Sequence, residues 1–99
     1  MGVVIRYNPV SLTAAKYDEG VQHINSGLGL SETELPEGCE LHVCFGTDGD
    51  LHVSEIWESR ERLDAFGPRL GPHIEAAGIQ MSGEPEFFEV LNLEAFSAS

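Results

Sequence analysis

Two runs of alternating apolar and polar residues, 40–46 and 51–58, are separated by Thr47-Asp48-Gly49-Asp50. Asp-Gly accepts the positive φ that a two-residue hairpin turn demands, so the runs are expected to fold back as adjacent antiparallel strands. A turn on Asp48-Gly49 sets Phe45 opposite His52 and His42 opposite Glu55. No other feature of the chain restricts its fold as tightly.

The flanking segments complete the pattern. Residues 3–8 form a β-branched and aromatic run that stops at Pro9, the mark of a strand. Ser11 or Thr13 then caps a helix whose apolar stripe is Tyr17, Val21, Ile24 and Leu28, ended by Gly27 and Gly29. Residues 29–38 read as a loop. After the hairpin, Ser59 caps a second helix with Glu61 in its first turn and Leu63, Phe66, Leu70, Ile74 and Ala77 at helical spacing. Pro68 should end or kink that helix near Gly67, and Pro72 should open a short second piece closed by Gly78. Residues 86–93 form the last strand, and the Ala/Ser tail beyond Phe96 is expected to fray.

Strand, helix, strand, strand, helix, strand is the α+β, ferredoxin-like βαββαβ arrangement: a four-stranded antiparallel sheet with both helices on one face. A chain of 99 residues accommodates one such domain, 1–99, with 94–99 as its tail.

Charge narrows the function. Seventeen acidic against five basic residues give a net charge of −12, which excludes a nucleic-acid footprint and disfavours anionic membranes. No apolar run approaches the roughly 20 residues of a membrane helix. Residues 1–6 carry no secretory signal, and Arg6 stands where a myristoylation signal needs Ser or Thr. Cys39 and Cys44 are too few for a disulfide framework, so a cytoplasmic chain with reduced thiols is expected.

Alternation sorts the strands into faces. Val3, Ile5 and Tyr7 with Leu41, Val43 and Phe45 suit the helices. The opposite face would then collect Arg6, Asn8, His42, Cys44, Glu55 and Trp57. Two copies stacked sheet on sheet would cover its apolar part and enclose the polar part as a small-molecule pocket. The same cluster also reads as a buried polar network that only sets dimer geometry. A metal chelated by His42, Cys44 and Glu55 is the weakest reading, since it offers three ligands at best.

Trp57-Glu58-Ser59-Arg60-Glu61, followed by Leu63 and Phe66, closely resembles the Trp-Glu-Ser-x-Glu junction of the antibiotic-biosynthesis-monooxygenase-like, dimeric α/β-barrel superfamily. Leu70-Gly71-Pro72 and Ala76-Ala77-Gly78-Ile79 are similar to the corresponding stretch after that junction in its small bacterial members. The resemblance implies a ferredoxin-like protomer that dimerises through its sheets. It also implies one of three activities or roles: cofactor-independent oxygenation of aromatic polyketides, haem degradation, or an uncharacterised barrel. The haem degraders carry an Asn on the first strand, which Asn8 nearly matches, and a Trp that Trp57 matches. Phe66 and Gly67 stand where those enzymes have a His. The quinone-forming oxygenases have an Asn where this chain has Val53 and a Tyr where it has Leu63.

The resulting expectation is a homodimeric, cofactor-independent monooxygenase acting on an apolar or aromatic metabolite, with no metal. Trp57 would pack on the substrate, Asn8 and Arg6 would orient its oxygens, and His42 with Glu55 would move protons. Cys44, Phe66 and His73 would complete the substrate contacts. The alternatives are a non-catalytic dimer that binds a hydrophobic ligand or merely assembles and, third, haem or metal binding.

Overall fold

The computed structural model describes residues 2–31 and 34–94. Its elements run β1 (Val3–Tyr7), α1 (Ala14–Leu28), β2 (Cys39–Thr47), β3 (Asp50–Trp57), α2 (Arg60–Ala76) and β4 (Glu86–Glu89). The strands form one antiparallel sheet in the order β2-β3-β1-β4, as the ferredoxin-like reading requires.

Local chemistry sets the element ends. Thr13 is the N-cap of α1, its side chain accepting from the Lys16 N–H at 3.1 Å. Gly29 closes the helix in the left-handed region, φ 73°, with its N–H turned back to the last carbonyls. The hairpin pairs Thr47 with Asp50 around Asp48-Gly49, and Gly49 has φ 91°. Asp48 does a second job: its Oδ1 accepts from the Ala14 N–H at 2.9 Å. The first turn of α1 has no acidic residue of its own, so the hairpin supplies the negative charge that the helix dipole favours there.

α2 departs from expectation. It runs unbroken through Pro68 and Pro72 from its Ser59 N-cap. The two prolines lie four residues apart on the exposed side. The carbonyls they leave without an intrahelical donor, those of Asp64 and Pro68, therefore lie on the solvent side where water can pair them. β4 is also shorter than residues 86–93. Its ladder ends because its partner does: Glu89 faces Val3, and one further bond joins the Val90 N–H to the Gly2 carbonyl. The tail beyond Phe96, expected to fray, lies outside the described residues.

The larger correction concerns the faces of the sheet. Phe45 does pair with His52 and His42 with Glu55. The β1–β3 ladder, however, sets Val3 against Trp57, Ile5 against Glu55 and Tyr7 against Val53. Residues directly opposite one another share a face, so His42, Cys44, Glu55 and Trp57 lie with Val3, Ile5 and Tyr7. A bulge at Glu40 brings Cys39 to the same side.

Both helices pack on this face. Phe66 of α2 meets the Trp57 ring at 5.2 Å between centroids, and Tyr17 of α1 bonds to His42. The core is Val3, Ile5, Trp57, Leu63 and Phe66. Arg6 and Asn8 point the other way, among Val4, Leu41, Val43, Phe45, Ile56 and Phe88. The polar cluster expected on the open face is therefore split, and most of it lies beneath the helices.

Candidate active site

A cavity of about 290 Å³ opens between the sheet and the two helices. Its floor is Tyr7, His42, Val53 and Glu55, and one wall is the α1 stripe of Tyr17, Val21, Ile24 and Leu28. Phe66, Leu70 and Ile74 of α2 form the facing wall, and Leu30, Glu34, Leu35 and Pro36 lie along the loop after α1. The stripe read from the sequence as a core face is thus largely a cavity wall. Among the described residues no lysine or arginine lines this space, so an anionic ligand would meet Glu34 and Glu55 with no counter-charge from them. The walls suit a neutral, largely apolar molecule.

Four side chains form a continuous hydrogen-bonded row on the sheet side. The Trp57 indole N–H donates to Glu55 Oε1 at 3.1 Å. Glu55 Oε2 lies 2.8 Å from His42 Nδ1, and His42 Nε2 lies 2.7 Å from Tyr17 Oη. A carboxylate only accepts, so a neutral imidazole here carries its proton on Nδ1 and accepts from the Tyr17 hydroxyl at Nε2. Glu55 is buried, 7% exposed, and these two donors are what compensate its charge away from water.

The phenols and thiols around the row are held protonated. Burial, then the negative neighbours Cys44, Glu55 and Asp18, push the Tyr17 hydroxyl up to about 12. Burial and then Glu55 and Cys39 raise Tyr7 further. Burial and Glu55 likewise push the Cys39 thiol up to about 12, and burial with Asp18 raises Cys44. Neither cysteine is placed to act as a thiolate nucleophile.

The remaining expected residues fall into four places. Trp57 is fully buried behind Glu55 and touches the cavity only through that carboxylate and Phe66. Cys44 sits on the helix-facing side of β2 opposite Val53 but does not line the cavity. The His73 ring is pressed on Gly27, where an added Cβ would come within 2.5 Å of it. His73 therefore spaces the two helices apart from the cavity. Arg6 and Asn8 are on the reverse face. The Arg6 guanidinium lies 5.8 Å from the Phe45 ring centroid, and Asn8 bridges His52 and Glu86. Among the described residues no three His, Cys, Asp or Glu side chains are placed to hold a metal ion, so the His42–Cys44–Glu55 chelate is not formed.

Tyr17 and Tyr7 escaped the sequence reading because a tyrosine in an apolar stripe counts as core. The usable signal was the hydroxyl, which needs a partner once the ring is covered.

This layout of sheet and paired helices recurs in solved structures. SnoaB, a cofactor-independent oxygenase from Streptomyces nogalater studied as a mutant, superposes with a TM-score of 0.60 at 12% identity, over 93% of this chain and 95% of its own. A candidate antibiotic biosynthesis monooxygenase from Chloroflexus aurantiacus gives 0.58 at 18% identity, covering 97% of each chain. The protein has the antibiotic-biosynthesis-monooxygenase fold. Rv0793 of Mycobacterium tuberculosis shares it, with a TM-score of 0.51 at 18% identity over 97% of both chains. No protein-family model and no curated protein sequence matches the chain. At these identities the monooxygenase-type fold is what is held in common. No helix among the described residues is long and apolar enough to cross a membrane.

Proposed function

We propose that this monooxygenase-fold protein is a cofactor-independent oxygenase for a neutral, apolar or aromatic substrate with an acidic C–H next to a carbonyl. One observation carries the reading: an imidazole, ordered by a buried carboxylate, lies on the floor of a cavity that is largely apolar and has no lysine or arginine in its lining among the described residues. That arrangement suits proton abstraction from a carbon acid in a water-poor space.

The chemistry then closes with dioxygen from solution. The substrate CH₂ gives one proton to the base. The resulting enolate passes an electron to O₂, and the radical pair joins as a C–O bond. The peroxide regains the proton and loses water to leave C=O. The balance is R₂CH₂ + O₂ → R₂C=O + H₂O, in which carbon is oxidised and oxygen reduced. Glu55 stabilises the imidazolium while the enolate exists.

Two copies joined through the open sheet face complete the proposed assembly. Leu41, Val43, Phe45 and Phe88 are between 38% and 50% exposed there, an apolar patch of the kind that marks an interface. The cavity belongs to each protomer separately, so the dimer serves stability rather than enclosing the site.

The second reading, a non-catalytic binder of hydrophobic ligands, is favoured by the complete pairing of the polar row: His42 is bonded at both ring nitrogens, as in a structural network. One experiment separates the two. Protein treated with a chelator is given 1,8-dihydroxyanthrone under air and under argon, and anthraquinone formation and oxygen uptake are followed against buffer. The oxygenase reading expects equimolar uptake and product, with His42→Ala lowering kcat by about 10²–10⁴-fold. Binding of the neutral dye N-phenyl-1-naphthylamine without any anthrone oxidation would establish the binder.

A further inference from the structure

The His42 lone pair does not face the cavity directly. Tyr17 Oη stands on it at 2.7 Å, and the two rings are near-parallel, 22° between planes with centroids 6.2 Å apart. A substrate that reached Nε2 would first have to expel this phenol. The Tyr17 hydroxyl donates its single proton to Nε2, which leaves two oxygen lone pairs and no other partner for Oη among the described residues. The residue itself lines the cavity.

We propose that Tyr17 is the catalytic group that meets the substrate, relaying its proton to His42 in a single concerted movement. The substrate C–H proton passes to Tyr17 Oη as the phenol proton passes to His42 Nε2, and Glu55 balances the imidazolium at Nδ1. In the return step Tyr17 protonates the distal peroxide oxygen and His42 resupplies Tyr17. No proton is gained or lost over the cycle. This rests on the oxygenase reading above and sharpens it: the acidic C–H must come within hydrogen-bonding reach of Tyr17 Oη, about 3 Å, and not of the imidazole.

The surroundings explain why the transfer must be concerted. Besides His42, the ionisable groups that act on Tyr17 are Asp18 on α1, Cys44 on β2 and Glu55 on β3, while Tyr7 and Glu34 line the same cavity and α2 lines it with Phe66, Leu70 and Ile74. None of these stabilises a free phenolate. Tyr17 therefore keeps its proton until another arrives, which suits a relay and rules out a stored tyrosinate base.

Long-range ¹H–¹⁵N NMR of His42 in the full chain reads the relay without turnover. The expected result is a proton on Nδ1 and a bare Nε2. Saturating 1-naphthol should then move the Nε2 resonance further toward a hydrogen-bonded nitrogen, because a proton donated into Oη strengthens the next bond in the chain. In Tyr17→Phe that response should vanish. A proton on Nε2, or a naphthol complex that leaves Nε2 unmoved in the wild-type protein, overturns the proposal.

Kinetics give the second arm. With 1,8-dihydroxyanthrone, Tyr17→Phe should lower kcat at least tenfold with KM within threefold. Replacing Tyr17 by 3,5-difluorotyrosine should restore turnover and shift the pH profile. A Tyr17→Phe protein as fast as wild type would show His42 acting directly and sink the relay. Should the wild-type protein oxidise no anthrone, the substrate reading falls and the tautomer measurement alone decides the relay.

Discussion

Glu55 sets the chemistry of its neighbours. Its two oxygens are committed to the Trp57 N–H and to His42 Nδ1, so it fixes which imidazole nitrogen is basic. Glu55→Gln is expected to turn an amide N–H toward Nδ1, move the ring proton to Nε2 and abolish the base. Activity should drop by about 10²-fold or more, with a stability loss of about 1–3 kcal/mol from the disturbed pairing. The pair of measurements is anthrone turnover and a urea midpoint, and unchanged turnover would remove Glu55 from the mechanism. The pairing of His42 with Glu55 was legible in the sequence because the Asp48-Gly49 turn dictates register locally. The partnership with Tyr17 was not, because it joins residues 25 positions apart on different elements. Cys39 and Tyr17 also leave a mark on stability. Both remain protonated in the folded protein to about 12, against ordinary values of 9.0 and 10.0. The unfolded chain releases these protons first, so stability is full below about pH 9 and falls as pH climbs toward 12. Urea midpoints measured across that window should decline, and Cys39→Ser should remove the part that begins near pH 9.

Among the elements, α2 shows how far a local rule reaches. Two internal prolines predicted a broken helix, yet Arg60–Ala76 is continuous. Proline breaks helices because it removes a donor and crowds the preceding turn, and the first cost shrinks when the affected carbonyls face water. The penalty is reduced but not absent. Pro68→Ala is expected to raise stability by about 1–2 kcal/mol, seen as a higher urea midpoint. A lower midpoint would mean that the proline ring at this position contributes to packing. The caps were readable because each is a one-residue event: Thr13 and Gly29 bound α1, and Ser59 opens α2.

For the molecule as a whole, charge and apolar surface act against each other. Each copy carries a net charge of −12, so two copies repel at long range while the open sheet face favours their contact. Sedimentation equilibrium is expected to show a dimer that tightens as sodium chloride rises from about 20 to 300 mM, over which the Debye length shortens several-fold. Val43→Glu, on the β2 side of that face, should give monomers at every salt concentration with the cavity still able to bind the neutral dye. Dimers of Val43→Glu would place the interface elsewhere. The Arg6 Nε is buried without a partner on the same face, a polar atom that a second copy would have to satisfy or leave at a cost.

The sequence by itself determined local matters: the order of strands and helices, the hairpin and its register, and the caps. These arise from turn chemistry, periodicity and composition, each acting over a few residues. Which face of the β2–β3 ribbon meets the helices was a tertiary decision. Both faces carry apolar residues, Leu41, Val43 and Phe45 on one and Val53 and Trp57 on the other, so alternation alone is degenerate. The tie is broken by the ladder of β3 with β1, where Ile5 meets Glu55 and Val3 meets Trp57. That pairing spans some fifty residues, and a one-residue slip in it would turn His42 and Glu55 out of the cavity altogether.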